Sequence, residues 1–233
     1  MISVIIPVFN EKENLNRLLP RLGILSQSHD IEILVSVGEC SQNYSNCLKG
    51  LERVRLVDGK RKGRAKQMND GVTAAEGNIL VFLHADVLPP DNFFEDIKLT
   101  IASGYDAGFF SYHFDKDSFF LRINASFTKR EGAFTGGGDQ CLFIKKAIFE
   151  QMNGFNENQE LMEDFEFFAR MKKRKLNYRI VPNDLTVSAR KYEKNSYFKI
   201  NLTNLLLVLL FKLGYAPRKL KKLHDRLLDV NYN

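Results

Sequence analysis

The sequence predicts an α/β fold in which helices flank a mostly parallel sheet and further helices follow at the C-terminal end. Short apolar runs rich in β-branched residues alternate with amphipathic segments in the first half of the chain. Strands of a parallel sheet read as such runs because both of their faces are buried. The 233 residues, of which 44% are hydrophobic, suffice for the core of one large α/β domain.

Four strands are predicted in the first half of the chain, over residues 2–8, 31–37, 53–57 and 79–84. Helices are predicted over residues 11–22, which Asn10 is placed to cap, and over residues 63–75. Strands and helices that alternate in this way form right-handed crossovers. Because ligands bind beyond the carboxyl ends of such strands, we expect the functional site in the loops that follow them.

The second half of the chain changes character after Pro90. Its predicted elements are an aromatic stretch of mixed strand and helix over 109–134, a glycine loop at 136–138, strands at 141–144, 178–181 and 185–189, and helices at 163–173, 198–213 and 217–228. We predict one domain over residues 1–192. A helical extension over residues 193–233 is expected to pack on this domain or on a membrane surface.

The formal net charge is +6, and two clusters of cations lie over residues 60–66 and 218–226. A positive net charge favours binding to an anionic partner. The candidates are nucleic acid, a membrane surface and a phosphorylated small molecule. The first cluster precedes a predicted helix, and neither cluster belongs to a motif that reads nucleic acid. We therefore expect a phosphorylated small molecule as partner and no nucleic acid.

Cysteine use and apolar segments indicate the compartment. Cys40, Cys47 and Cys141 are too few for a disulfide framework and lack zinc-site spacing, so we expect free thiols in a reducing compartment. The N-terminal residues show no signal-peptide pattern, and the apolar run over 205–211 is too short to span a membrane. These features predict a cytoplasmic protein and leave contact with the inner face of the membrane open.

A histidine and an aspartate follow the fourth predicted strand. If residues 84–86 are extended, His84 and Asp86 point the same way. Imidazole and carboxylate together suit Mn²⁺ or Mg²⁺ that bridges a diphosphate. The alternative is a core histidine beside a turn aspartate, and the short spacing does not separate the two.

Further candidates lie at predicted helix starts and loops. Arg64 begins a helix whose free N–H groups favour phosphate, unless the basic loop before it is merely solvated. Glu163 and Asp164 begin another predicted helix. Either this pair supplies a general base, or the two carboxylates only interact favourably with the helix dipole. Residues 136–140 either allow a ligand to approach the backbone closely or form a plain turn. Arg190 is either a cation that binds a diphosphate or a surface charge.

Taken in chain order, five segments resemble family 2 glycosyltransferases of the GT-A fold, and they look closest to a subgroup of short bacterial enzymes. The segments are residues 5–11 (Ile-Ile-Pro-Val-Phe-Asn-Glu), 63–69 (Gly-Arg-Ala-Lys-Gln-Met-Asn), 82–86 (Phe-Leu-His-Ala-Asp), 138–140 (Gly-Asp-Gln) and 161–164 (Leu-Met-Glu-Asp). The resemblance covers about residues 1–192. It implies a GT-A type, Rossmann-like fold and a metal-dependent glycosyltransferase that uses a UDP- or GDP-sugar.

The resemblance also implies roles for particular residues. Asp164, beside Glu163, would be the base of an inverting displacement, and Asp86 with His84 would hold Mn²⁺ or Mg²⁺. The acceptor hydroxyl would meet Gly138, Asp139 and Gln140. The nucleotide sugar would be bordered by residues of several loops, namely Pro7, Asn10, Glu11, Gly38, Arg64, Asn69, Asp86 and Arg190.

Three features depart from the family pattern. Val37 stands where an aspartate usually reads the nucleotide base, with Glu39 as a candidate substitute, and His84 stands where the metal motif usually has its first acid. The chain contains no Trp, so the tryptophan element of processive polysaccharide synthases is absent. We therefore predict non-processive transfer of a single sugar.

Alternatives to this function stay open at this point. Val37 favours a catalytically idle relative that binds a nucleotide sugar or a partner protein. A nucleotidyltransferase would carry a glycine-rich basic loop after the first strand, and residues 10–13 (Asn-Glu-Lys-Glu) are not such a loop. The apolar segment over 200–213 and the basic residues after it are compatible with two arrangements. In the first, they bind an anionic membrane face, and the acceptor is lipid-linked or carotenoid-like. In the second, they form a core helix followed by a solvated basic helix.

Overall fold

The computed structural model describes residues 1–39, 44–48, 51, 53–59, 61–132 and 135–228. The strands in this part of the chain are β1 (Ile2–Val8), β2 (Ile31–Val37), β3 (Val54–Asp58), β4 (Ile79–Phe82), β5 (Val87–Leu88), β6 (Ala107–Phe114), β7 (Phe143–Lys145) and β8 (Tyr178–Val187). The α-helices are α1 (Lys12–Leu25), α2 (Arg64–Ala74), α3 (Phe93–Ala102), α4 (Phe119–Ser126), α5 (Lys146–Gln151), α6 (Glu163–Lys173), α7 (Lys191–Lys194), α8 (Tyr197–Lys212) and α9 (Pro217–Leu227). Short 3₁₀ turns cover Ser45–Leu48, Phe127–Lys129 and Gly138–Gln140.

All of these strands belong to one mixed sheet, in the order β3-β2-β1-β4-β7-β6-β8-β5. Strands β3, β2, β1 and β4 run parallel, whereas β7 lies antiparallel to both β4 and β6. Strand β8 is parallel to β6, and β5 is antiparallel to β8 at the edge. Four of the seven pairings are thus parallel, which confirms the predicted α/β fold.

The residues of β1 alternate between two cores, as the two-residue period of a strand requires. The side chains of Ile2, Val4, Ile6 and Val8 pack with α1 and α3, and Ile5 packs with α2, α5 and α6 on the other face. All seven residues of the strand are buried. Burial on both faces explains why this segment reads as a continuous apolar run.

Strand β8 corrects the sequence prediction. The expectation of two short strands at 178–181 and 185–189 is wrong, because β8 runs unbroken over ten residues. Its pairing with β6 slips, since Phe110 pairs with Val181 but Tyr112 pairs with Leu185. Proline cannot donate a ladder hydrogen bond, so Pro182 lies in a bulge. The polar interruption at 182–184 therefore marks an irregularity within one strand.

The C-terminal helices pack on the rest of the chain. Helix α8 is fixed to α4, where Asn124 Nδ2 donates a 2.7 Å hydrogen bond to Asn201 Oδ1 and the ring centroids of Phe120 and Tyr197 lie 5.1 Å apart. Helix α9 in turn contacts α8. Within the described residues, no helix has the length and apolar character needed to cross a membrane. The domain boundary after residue 192 stays a prediction.

A buried carboxylate joins several segments at the amino ends of β1 and β2. Glu32 Oε1 accepts 2.6 Å hydrogen bonds from Ser3 Oγ and from the backbone N–H of Glu76, and Glu32 Oε2 pairs with Arg55. Burial opposes the charge on Glu32, but these partners outweigh it and lower the pKa of the carboxyl. The network stabilises the end of the sheet that lies away from the expected ligand site.

We expect Glu32→Gln to lower the free energy of unfolding by about 2 kcal/mol, because hydrogen bonds to a charged group are lost. Because the pKa of Glu32 is lowered, its stabilising contribution is present above the unfolded pKa and is lost as the pH falls through the folded one. Urea denaturation at neutral and acidic pH measures both effects. A wild-type stability at neutral pH would contradict this role.

Candidate active site

A cavity of about 660 Å³ opens at the carboxyl end of β4. Four separate segments supply its polar end: Arg64 begins α2, His84 follows β4, Asp139 lies in the Gly138–Gln140 turn, and Asp164 lies in the first turn of α6. Ligand sites form at this edge in sheets of this kind. The fold therefore brings together the groups that the sequence predicted as base, metal ligand, acceptor contact and donor contact.

Gly138 allows two of these side chains to approach its backbone closely. A Cβ atom at this position would collide with the His84 ring and lie 2.6 Å from Asp164 Oδ2. Glycine is the residue that leaves this space open. The predicted approach of a ligand to the glycine run stays a prediction.

Asp164 is a half-buried carboxyl group at the N-terminal end of α6. Burial raises the pKa of Asp164 to about 7, and the negative charge of Glu163 adds to this effect, whereas His84 and Arg64 oppose it. A general base is most effective when its pKa lies near the working pH. The side chain also lines the cavity, where a ligand proton can reach it.

Asp139 links His84 to a lysine. Asp139 Oδ1 lies 3.8 Å from His84 Nδ1, and Asp139 Oδ2 accepts a 3.0 Å hydrogen bond from Lys191 Nζ. Burial opposes the charge on Asp139, but Lys191 and His84 outweigh it and hold its pKa below the usual range. Burial and Arg64 oppose a charge on His84, yet Asp139 and Asp164 raise its pKa overall. These groups form one charged chain along the cavity wall.

Lys191 and Tyr112 line the cavity although the sequence did not assign them to the site. Lys191 also lies over the ring of Phe114, 5.8 Å from its centroid. Burial raises the pKa of Tyr112, and the charge of Asp139 adds to the shift. In the sequence, only the neighbouring candidate Arg190 pointed to a role for Lys191 in the site.

A second group of charges surrounds Glu11 at the start of α1. Glu11 Oε2 accepts a hydrogen bond from Asn14 Nδ2 and lies 3.8 Å from Arg190 Nη2. Burial is the main cause that raises the pKa of Glu11, and the charge of Asp86 adds to it. The residue before it, Asn10, has a φ of 56°. Within the described chain, Asn10 Oδ1 is buried and has no hydrogen-bond partner.

The expectation that residues 84–86 are extended is wrong. Strand β4 ends two residues before His84, and the backbone N–H of Val87 donates a 3.2 Å hydrogen bond to His84 O, which closes a turn. His84 lines the large cavity, whereas Asp86 lines a separate pocket of about 10 Å³. In the residues that the structure describes, no three His, Cys, Asp or Glu side chains are grouped to hold a metal. The metal site stays a prediction.

Internal contacts occupy much of the basic loop. Arg61 pairs with Asp70 and, at 2.8 Å, with Glu157. Asn69 exchanges hydrogen bonds of 2.9 and 3.0 Å with the backbone of Phe155, so its amide fastens a loop before α6. Its predicted place near the ribose and diphosphate stays a prediction. Arg64 Nη1 lies 3.4 Å from Glu163 Oε1, and 47% of the Arg64 side chain is exposed.

The remaining predicted donor residues lie at the same edge of the sheet. Pro7 pairs with Ser36 near the carboxyl end of β1, and Gly38 directly follows β2. A Cβ atom on Gly38 would meet Gln67 Nε2 at 2.8 Å, so this glycine lets α2 approach β2. Val37 is buried in β2. Contact of these residues with a nucleotide stays a prediction.

Gln140 lies on the cavity wall, but its amide is used within the protein. Its Oε1 accepts a 2.9 Å hydrogen bond from the backbone N–H of Gly136, and its Nε2 donates a 3.2 Å hydrogen bond to Thr128 O. Gln140 therefore holds the glycine loop, and its contact with an acceptor stays a prediction. Cys47 and Cys141 are free thiols. The predictions made for Cys40, Lys60 and Phe134 lie outside the described residues.

The family model described as "Glycosyl transferase family 2" matches residues 3–180. Undecaprenyl-phosphate 4-deoxy-4-formamido-L-arabinose transferase of Proteus mirabilis is 27% identical over 236 residues, which cover 94% of this chain and 69% of that protein. This relative is a transferase by name.

Solved glycosyltransferases share the fold. The mannosyltransferase PcManGT of Pyrobaculum calidifontis, in complex with GDP-Man and Mn²⁺, has a TM-score of 0.67 at 18% identity, over 97% of this chain and 68% of that chain. TarS of S. aureus in complex with UDP has a TM-score of 0.64 at 14% identity, over 97% of this chain and 69% of that chain. At these identities the likeness shows the fold alone, and it confirms the predicted GT-A type.

Proposed function

The chain belongs to glycosyl transferase family 2, and we propose that it moves one sugar, with inversion, from a UDP- or GDP-sugar to an acceptor hydroxyl. As a member of this family it is a glycosyltransferase. The observation that carries the proposal is the convergence of Asp164, His84 and Arg64 at one end of the cavity. A basic carboxylate and a cation side by side suit proton removal from an acceptor next to a charged donor.

In the proposed reaction, the acceptor hydroxyl gives its proton to Asp164. The acceptor oxygen attacks the anomeric carbon, the bond from that carbon to the diphosphate oxygen breaks, and the electron pair leaves with the diphosphate. Because the new bond forms on the face opposite the broken one, the anomeric configuration inverts. Glu163 pairs with Arg64, and its negative charge helps to keep Asp164 basic.

The departing diphosphate would meet positive charge on the donor side. Arg64 is the first residue of α2, and the N–H groups at the N-terminal end of a helix favour phosphate oxygens. Arg190, 56% exposed, lies near Glu11 at the same side. Cations fixed where negative charge develops stabilise the transition state more than the ground state.

The residues present fit a divalent cation at the donor. Mg²⁺ commonly binds through one or two carboxylates together with substrate phosphates. Asp86 would supply the carboxylate, and the orphaned Asn10 Oδ1 is a further oxygen among the loops at this edge. When bound, Mn²⁺ or Mg²⁺ would neutralise charge on the diphosphate. His84 is engaged with Asp139, so we assign the main contact to Asp86.

The rate of transfer is expected to depend on the ionisation of Asp164. Because only the ionised carboxylate accepts a proton, kcat should rise by about tenfold per pH unit below the pKa of about 7 and level off above it. Initial rates measured at saturating donor over a range of pH test this expected rise in kcat. A kcat that falls as the pH rises through 7 would contradict the role of Asp164 as base.

We propose that the protein works at the inner face of the membrane on a lipid-linked acceptor. The Proteus mirabilis relative is named for transfer to undecaprenyl phosphate. Helix α8 exposes apolar side chains, and α9 exposes basic ones, which are Arg218, Lys219, Lys222 and Arg226. Apolar and basic surfaces together favour binding to an anionic membrane face.

Calorimetric titration with UDP and GDP tests the donor site. We expect one of the two nucleotides to bind in the presence of Mn²⁺, and Asp86→Ala to weaken this binding by about tenfold or more because a metal ligand is lost. Asp91→Ala is the control, since Asp91 pairs with Arg21 at the surface. If neither nucleotide bound with any metal, the idle relative would be favoured, with Val37 as the suspected cause.

A further inference from the structure

The cavity has two ends of different chemistry. The polar end holds Arg64, His84, Asp139 and Asp164. The other end is lined by apolar and aromatic side chains from α8 and the 3₁₀ turn after α4, which are Phe127, Phe198, Leu202, Leu205, Leu207 and Val208. A ligand that filled the cavity would contact carboxylates at one end and hydrocarbon at the other. A cavity of about 660 Å³ lies within the usual range for sites that enclose an organic ligand.

Helix α8 supplies most of the apolar wall and lies beyond the segment that the family model matches. The match ends at residue 180, whereas α8 spans Tyr197–Lys212. Lys199 and Lys212 are its only charged residues, and it has no acidic one. The apolar end is therefore built by a part of this chain that the family pattern does not describe.

Several residues of the apolar wall are exposed. The side chains of Phe127, Phe198 and Leu202 are 65%, 68% and 69% exposed. Exposed apolar surface that continues into a cavity is typical of a binding site. A nucleotide sugar is polar and carries its charge on the diphosphate, so the donor does not account for this apolar surface. The second substrate accounts for the part of this surface that lines the cavity, because it must reach Asp164 from within the same cavity.

We propose that the α8 end of the cavity binds the apolar chain of the acceptor, whose terminal hydroxyl reaches Asp164. This inference rests on the proposed function and names the acceptor class as a long-chain or isoprenoid alcohol. A neutral hydroxyl needs the base that Asp164 provides. A phosphate acceptor is already ionised near neutral pH and would have no proton for Asp164 to remove.

A tryptophan reporter tests chain binding without turnover. The chain contains no Trp, so Phe127→Trp places a single fluorophore at the apolar end. We expect titration with farnesol, without nucleotide, to shift the Trp emission to shorter wavelength and to saturate. Because no donor is present, this result is separate from the calorimetric test of nucleotide binding, and either site can fail while the other is retained.

Two leucines on α8 form a matched pair for this experiment. Leu205 lines the cavity and is 42% exposed, whereas Leu209 does not line it and is 51% exposed. In the reporter background, Leu205→Gln is expected to weaken farnesol binding by about tenfold, because an amide replaces an apolar contact. Leu209→Gln should stay within about twofold of the parent, and Leu205→Met should bind like the parent because it keeps an apolar side chain.

The proposal is overturned if farnesol causes no saturable change in Trp emission. It is also overturned if Leu209→Gln weakens binding as much as Leu205→Gln, since equal losses indicate adsorption on the outer surface of α8. The last experiment repeats the titration with farnesyl phosphate at the same ionic strength. If it binds more tightly than farnesol, the assignment to a neutral alcohol is wrong.

Discussion

Asp164→Asn is expected to lower kcat for sugar transfer by about 10²–10⁴-fold, which is the usual contribution of a general base. Asparagine keeps the size of the side chain against Gly138 but cannot take up the acceptor proton. Donor binding should stay within about threefold of wild type, because Asp164 faces the acceptor side in the proposed reaction. Release of UDP or GDP in the presence of a lipid extract measures kcat, and calorimetry measures donor binding.

Glu166→Gln is the matched control for this substitution. Glu166 lies in the same first turn of α6, pairs with Arg170 at 2.8 Å and does not line the cavity. We expect this variant to lose some stability and to keep its kcat. If both variants lost activity equally, the effect of Asp164→Asn would be structural, and the assignment of the base would be wrong.

Gly138→Ala is expected to lower kcat by about 10²-fold, because a Cβ atom would displace the His84 ring and the Asp164 carboxylate, and small displacements of reacting groups are costly. Overpacking of this kind lowers the free energy of unfolding by about 1–3 kcal/mol, so the protein should still fold. Initial rates and a thermal melt together separate the loss of activity from the loss of stability.

Gly132→Ala controls for the removal of a glycine from the same region. Gly132 has open space around the position of an added Cβ. Its replacement should leave kcat unchanged. A wild-type kcat for Gly138→Ala would show that the close packing of His84 and Asp164 against Gly138 is not needed for transfer.

The sequence predicted the parallel part of the fold well because its strands are buried on both faces. The apolar runs that became β1, β2 and β4 could be located from composition and period alone. The bulge in β8 could not, because a break in the apolar pattern looks the same whether a strand ends or bulges. The turn at His84 was missed for a similar reason, since it depends on one backbone hydrogen bond to Val87.

The site was predictable where local motifs carry it and unpredictable where distant side chains meet. Resemblance to a family pointed to Asp164, Arg64 and Gly138, and the fold brings the three segments together. The pair of Asp139 with Lys191 joins residues 52 positions apart, so it depends on how β8 ends beside the glycine turn. No sequence pattern predicts a contact between residues so far apart in the chain.

Transfer of radiolabelled sugar from UDP- and GDP-sugars into the organic phase of a lipid extract is the most direct test of the central claim. We expect label in the organic phase with the wild-type protein and its loss with Asp164→Asn. The labelled product should resist mild acid, as a glycoside of an alcohol does and a sugar phosphate does not. If label stayed in the aqueous phase with every donor although UDP or GDP binds, one-step transfer to a lipid hydroxyl would be contradicted.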